Sequence, residues 1–276
     1  SLLTPTGFRQ VEALARRFRE IPVDACFSSD LTRTSLTARA VYVPQKLPLY
    51  RDPAFREICL GSWEDLTFGY LERFEPEAIA CFRKDPVSWH IQDGEDFETY
   101  TSRFIRGMKA AASRFPGKRI AIFCHSAVLR GVLMELFFQR DVNRVPYCDN
   151  TAVSKLFWDG KTFTYEFLND SSHLPEDLKH TRQDPGESRN LWFQPLEGRS
   201  TQGLPQPPEG SVSYLAVLED APVGLVSLDR AQGQVTRLFL QEACRGSGME
   251  EQLLGQAVSC PVSYTHLRAH ETSAHL

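Results

Sequence analysis

Among the seven cysteines of this 276-residue chain there is no C-x-x-C pair, and seven is an odd number. Neither a zinc knuckle nor a disulfide framework is therefore expected, and Cys26 and Cys124, set in apolar runs, are expected to be reduced core residues. A basic excess is also missing. Thirty-one lysines and arginines against 35 aspartates and glutamates give a net charge of −4 and a pI near 6.0, the wrong balance for holding nucleic acid or an anionic membrane surface. No apolar run reaches membrane-spanning length and no signal peptide is visible, so a cytoplasmic location is expected. There is no initiating methionine either. The chain opens at Ser1-Leu2-Leu3-Thr4, directly ahead of a helix start, as a fragment would. Its 42% hydrophobic and 24% charged residues are ordinary for globular protein, and the length suits two domains.

What is present centres on the stretch from Gly117 to Gly131. Ile120 to Cys124 is a short apolar run between a Pro116-Gly117 turn and a polar pair, the pattern of a strand buried on both faces. Val128, Leu129, Val132, Leu133, Leu136 and Phe137 then recur at helical spacing. A strand that ends in His125-Ser126 and turns at once into a helix sets an imidazole beside unpaired N–H groups, where an anion such as phosphate is favoured.

Upstream, Thr4-Pro5 forms a helix start, and Phe8, Val11, Leu14, Ala15 and Phe18 mark its buried face. The Arg16-Arg17-Phe18-Arg19 cluster fits its solvated side. Ala25-Cys26-Phe27 is a strand leading into Ser28-Ser29-Asp30, which can cap a helix over 31–41 with Arg33 one turn in. An extended edge segment over 47–50 precedes a charged, aromatic loop over 56–64, the kind of loop that carries function. Residues 66–83 pattern as a helix interrupted by Pro76. A long helix runs from Asp96 to Phe115, and Gly94-Glu95-Asp96 caps it. Strands over 152–158 and 162–168 form a hairpin across Asp159-Gly160. This alternation implies an α/β fold with a mostly parallel sheet and helices on both faces. His90, His173 and His180 fit structural roles.

From 170 to 208 proline, serine, glutamine and charged residues dominate around the island Leu191-Trp192-Phe193, the composition of a linker with one short strand. Strands over 214–218, 223–228 and 235–240 follow. Arg245-Gly246-Ser247-Gly248 then turns into a helix with Met249, Leu253, Leu254, Ala257 and Val258 inward, and the turn's backbone N–H groups suit an anion.

Taken in order, Ser28-Ser29-Asp30-Leu31-Thr32-Arg33, Arg56-Glu57 with Gly61-Ser62-Trp63-Glu64, Gly94-Glu95-Asp96, Cys124-His125-Ser126 and Asp149-Asn150-Thr151 resemble the histidine phosphatase superfamily, which includes phosphoglycerate mutases and small phosphatases. The resemblance implies a nucleophilic histidine in an Arg-His-Gly motif, a phosphohistidine intermediate and small phosphorylated metabolites as substrates, without a cofactor or metal. It makes His125 the second, charge-stabilising histidine, Arg33 a phosphate-clamping arginine, Asn150 a pocket residue, and Glu57 the acid that protonates the leaving oxygen and later activates water. No Arg-His-Gly occurs in this chain. The resemblance therefore implies a domain over 1–172 without its first strand, an open edge on the strand ending at His125, and an inactive chain whose intact parent hydrolyses phosphomonoesters.

The second segment, over 211–260, resembles the front part of a GNAT N-acetyltransferase. That resemblance implies acetyl-CoA held at Arg245, Gly246 and Gly248, beyond a linker over 173–210, in a fusion of bacterial type. The stretch over 261–276 resembles translated sequencing-adapter read-through, so His266 and His270 at metal-ligand spacing are set aside. Three readings stay open: a phosphatase or mutase, an acetyltransferase, and a non-catalytic phosphate-binding module. Oligomeric state is not indicated.

Overall fold

The computed structural model describes residues 3–64, 66–179, 190–197, 200–201, 203–245 and 248–259. The chain forms two compact units, Ser1–Glu64 with Ala80–Gln183 and Asp65–Ile79 with Asp184–Leu276. Its elements run α1 (Pro5–Arg17), β1 (Ala25–Ser28), α2 (Thr32–Tyr42), β2 (Leu49–Arg51), α3 (Phe68–Phe74), α4 (Pro76–Lys84), α5 (Phe97–Arg114), β3 (Ile120–Phe123), α6 (Ser126–Phe137), β4 (Val153–Trp158), β5 (Phe163–Asp170), β6 (Trp192–Pro195), β7 (Val212–Leu218), β8 (Ala221–Asp229), β9 (Gln234–Leu240) and α7 (Met249–Ser259). Pro76 divides the expected 66–83 helix into α3 and α4, since proline has no N–H to continue the ladder. Within the expected linker, Leu174 and Leu178 are buried against Ala13 of α1, and the one short strand expected there is β6, which pairs with β7.

The first unit is built on a parallel sheet in the order β2-β1-β3. Cys26 and Phe27 of β1 point to opposite faces, as the two-residue period requires. Cys26 packs with Leu14 of α1 and Ala40 and Val41 of α2, and burial pushes its thiol pKa up to about 11. Phe27 meets Phe55 edge-on at 6.2 Å between ring centres, and Phe55 meets Phe104 of α5 at 5.2 Å. Helices thus cover both faces. That sheet is parallel throughout, as expected; β4-β5 is the expected hairpin, and it and the strands β6 to β9 form antiparallel sheets of their own. Short turns such as Glu219-Asp220, both at positive φ, reverse the chain without room for a crossover.

Two expectations about burial are corrected. Ile120–Phe123 is only half-buried, because among the described residues β3 pairs with β1 alone and its other edge has no strand. Phe8 is exposed, while Leu14, with Val11, Ala15 and Phe18 packed beside it, keeps the expected face of α1; the segment after β5 buries a further side of the helix, with Gln10 Nε2 donating to the Leu178 carbonyl at 2.8 Å. In α5 the expected cap holds, with Asp96 accepting from the Thr99 amide at 2.8 Å.

The second unit is a four-stranded sheet, β6-β7-β8-β9. One face buries Ala216, Val226 and Leu228 against Met249, Leu253 and Ala257 of α7. The other packs Leu215, Val217 and Leu225 on Leu204. Leu254, expected inward, is exposed, since it follows Leu253 round the helix by one residue. No helix among the described residues is long and apolar enough to cross a membrane.

Candidate active site

Because β1 and β3 are parallel neighbours, their C-terminal ends deliver Ser29 and His125 to one place, with the Ser29 amide bonded to the Phe123 carbonyl at 3.0 Å. Ser28-Ser29-Asp30 does not cap α2 as expected. The N-cap position is Leu31, which has no side-chain cap bond, and the Ser29 hydroxyl instead lies 2.9 Å from His125 Nε2. Arg33, in the first turn of α2, donates through Nε to His125 Nδ1 at 3.2 Å. A guanidinium can only donate, so Nδ1 carries the lone pair and Nε2 the proton. Nε2–H then donates to Ser29 Oγ, which lies 2.7 Å from Thr34 Oγ1, and that hydroxyl donates to the Leu31 carbonyl at 2.8 Å. His125 is buried and neutral. Burial first, then the charges of Arg33 and Arg103, lowers its pKa to about 4.

The anion at the start of α6 is a protein carboxylate. Glu57 Oε1 accepts from the Val128 amide at 2.7 Å and from its neighbour Ile58 at 3.1 Å, and Oε2 accepts from Ala127 at 3.3 Å. The N–H groups expected to face phosphate are therefore held by Glu57, which satisfies donors that a helix start leaves open. Burial raises the Glu57 pKa, against the opposing pull of those amides and of Arg33.

Arg103 of α5 aims Glu57. It donates to the carbonyls of Pro53, Ala54, Arg56 and Glu57, and its two remaining contacts, both 2.7 Å, go to the Glu95 carboxylate. Burial pushes Glu95 up, yet Arg103 and the Cys59 amide outweigh it and hold its pKa below the usual value. Glu95, expected to help cap α5, thus braces the 53–59 loop. Asp30 is gripped through both oxygens by Arg56.

Sequence reasoning found Arg33, Glu57 and His125, which the fold brings together. It missed Ser29, Thr34 and Arg103 as their supports; Arg103 lies 46 residues from Glu57, and no local pattern marks it. Asn150 is exposed in the loop before β4, beside buried Asp149. His173 lies 3.2 Å from both Arg17 and Thr151, and His90 is exposed. In the second unit, Arg245 Nε donates to the Leu240 carbonyl at 3.2 Å and Gly248 has φ +80°. Gly246, His180 and 261–276 lie outside the described residues. Among the described residues no group of three or more His, Cys, Asp or Glu could hold a metal.

Comparison with known proteins places the chain. The chain is 27% identical to phosphoglycerate mutase-like protein 4 of Arabidopsis thaliana over 179 residues, 63% of this chain and 76% of that one. It is 25% identical to putative phosphoserine phosphatase 2 of Hydrogenobacter thermophilus, over 66% of this chain and 86% of that protein. Among solved structures, Bacillus stearothermophilus YhfR superposes with a TM-score of 0.58 at 28% identity, covering 62% of this chain and 86% of that one. The model of the histidine phosphatase superfamily (branch 1) matches residues 1–171, well over half of the 276, and the chain belongs to that superfamily.

Proposed function

We propose that the first unit is built to act on the phosphoryl group of small phosphomonoesters through a phosphohistidine, with the nucleophilic histidine on an Arg-His-Gly strand that these 276 residues do not contain. The observation that carries this reading is the meeting of Arg33, His125 and Glu57 at the ends of two parallel strands. In the first step the P–N bond to the nucleophile forms as the P–O bond to the leaving group breaks, and Glu57 gives its proton to that oxygen. In the second, water attacks phosphorus, its proton passes to Glu57, and the P–N bond breaks. Oε2 suits that role: it holds a single long contact, while Oε1 is committed to two amides. A carboxyl with a raised pKa is a better acid near neutral pH. Arg33 and His125 would face the phosphoryl oxygens, and a bound dianion would return a proton to His125. The open edge of β3 is where the absent strand would pair, and Asn150 is proposed as a pocket residue.

Phosphoserine in the name of one relative fits this substrate class, and the choice between hydrolase and mutase turns on the acceptor of the second step. Hydrolysis of p-nitrophenyl phosphate tests the reading. Loss of a nucleophile costs on the order of 10⁴–10⁶ in turnover, so the 276-residue chain should be essentially inactive. Adding an N-terminal strand ending in Arg-His-Gly should restore turnover with acid-labile phosphate on the protein. Comparable turnover by the unextended chain, lost in His125→Ala, would overturn it. Phosphate binding without turnover in the extended chain would favour a non-catalytic module.

For the second unit we propose acetyl-CoA as ligand, supported by the order β9, turn, α7 and by Gly248, whose positive φ and open surroundings suit a backbone cradle. Arg245 fits less well, with Nε already spent on Leu240. A melting temperature unmoved by millimolar acetyl-CoA would remove this reading.

A further inference from the structure

A polar recess that includes Asp30 but neither Ser29, Arg33 nor His125 lies between α2 and β2. It is a cavity of about 140 Å³ whose walls include Asp30, Thr32, Ser35, Arg39, Tyr42 and Arg51. One water needs only about 10–15 Å³ on such a measure, so a tetrahedral oxyanion fits with solvent around it. The charge balance in the walls is uneven. Asp30 is already matched by the two-point grip of Arg56, and Arg51 adds its own positive charge there. Among the described residues, Arg39 and Arg51 have no hydrogen bond or ion pair for their guanidiniums. Ser35 is a second, independent sign. It is 7% exposed and its hydroxyl has no hydrogen-bond partner, which is costly for a buried polar group and calls for a missing acceptor or donor.

We propose that this cavity binds a small oxyanion, a phosphate group, held by Arg39 and Arg51 with Ser35 beneath it, at a site separate from the one at His125. Two planar guanidinium forks are the donors that phosphate oxygens prefer. The proposal does not rest on any catalytic reading of His125. Its setting makes it consequential, however: Asp30 follows Ser29, which holds His125, and Arg56 precedes Glu57, so an anion here presses on both supports of the neighbouring site.

Titrating inorganic phosphate into the full 276-residue chain while following amide and arginine Nε–H resonances by NMR tests this. Signals of Ser35, Arg39 and Arg51 should shift together along a saturating curve distinct from that of the His125 ring. In R39Q/R51Q, whose altered side chains are exposed, the Ser35 response should weaken by on the order of tenfold or more, while any response of His125 persists. Arg33→Gln should do the reverse. Ser35→Ala should weaken phosphate without lowering the melting temperature of the free protein. A Ser35 response that is absent, or unchanged in R39Q/R51Q, would overturn the proposal. Titration with 2-phosphoglycolate separates two sources of the same group: both sets saturating at one equivalent means a single molecule spanning both sites, and at two equivalents, independent anions.

Discussion

Replacing Glu57 tests which of two opposed forces governs the start of α6. Burial penalises the carboxylate, while the amides of Val128, Ile58 and Ala127 favour it, and the balance leaves its folded pKa above the ordinary 4.5. Between the unfolded and folded values the folded chain holds more protons, so stability falls as pH rises through that window, by about 1.4 kcal/mol for each pH unit the window spans. Glu57→Gln can keep an oxygen at Oε1, with its bonds of 2.7 and 3.1 Å, and forfeits only the 3.3 Å bond from Ala127. It should match the parent within about 1 kcal/mol below the window and gain on it above. Glu57→Ala removes both oxygens that accept from the three amides, and the anion from the helix start. At about 1–3 kcal/mol for each unsatisfied group, partly relieved by entering water, the loss is on the order of 3–5 kcal/mol. Hydrogen exchange at the Ala127 and Val128 amides reads this locally, without interference from unfolding of the second unit. In the alanine variant both amides should exchange on the order of 10²–10³ faster, and in the glutamine variant only Ala127 should, by about tenfold. Equal acceleration in both variants, or none in alanine, would refute the reasoning.

The His125 ring should titrate near pH 4 by NMR. Its folded pKa lies below the unfolded 6.5, so its contribution, on the order of 3 kcal/mol, is present above pH 6.5 and is lost as pH falls toward 4; Arg33→Ala should raise the value by removing a nearby charge. For Glu95, held below its ordinary 4.5, the sign is the same: its support of the loop is present above pH 4.5 and lost as pH falls through its folded value, and Arg103→Ala should abolish that dependence in urea melts. A methyl group on Gly131 would meet the Tyr100 hydroxyl at 2.3 Å. Gly131→Ala should therefore push α5 from α6 and lower stability by about 1–3 kcal/mol, against no change if Tyr100 turns aside freely.

Much of this fold is legible in periodicity. Asp96 announces α5 by its capping chemistry, and Asp159-Gly160 marks the β4-β5 turn, because both signals are local. What escapes is whatever depends on distant partners. The run Ile120–Phe123 carries the apolar signature of a central strand, yet its burial depends on neighbours, and among the described residues it has one. The site shows the same division. Glu57 and His125 stand out as residue types in suggestive places, but the capping by Glu57 of the helix that His125 begins rests on a contact spanning 71 residues. Ser29 looks like a helix cap because serine before a helix usually is one; the adjacent imidazole supplied a better use for its hydroxyl.

The pairing of β1 with β3 also sets the order in which this unit can assemble. Asp24 receives the Arg119 amide across 95 positions, and Ser29 reaches His125 across 96. β1 and β2 can pair early, but neither the β1-β3 pairing nor the histidine's hydrogen bonds can exist until the ribosome has released residue 125. Closing so long a loop before any reward arrives makes for slow folding. It also ties site and sheet into one event: a population of chains that has formed β1-β3 has formed the Ser29–His125–Arg33 cluster as well, and refolding followed at the histidine ring should keep pace with refolding of the sheet.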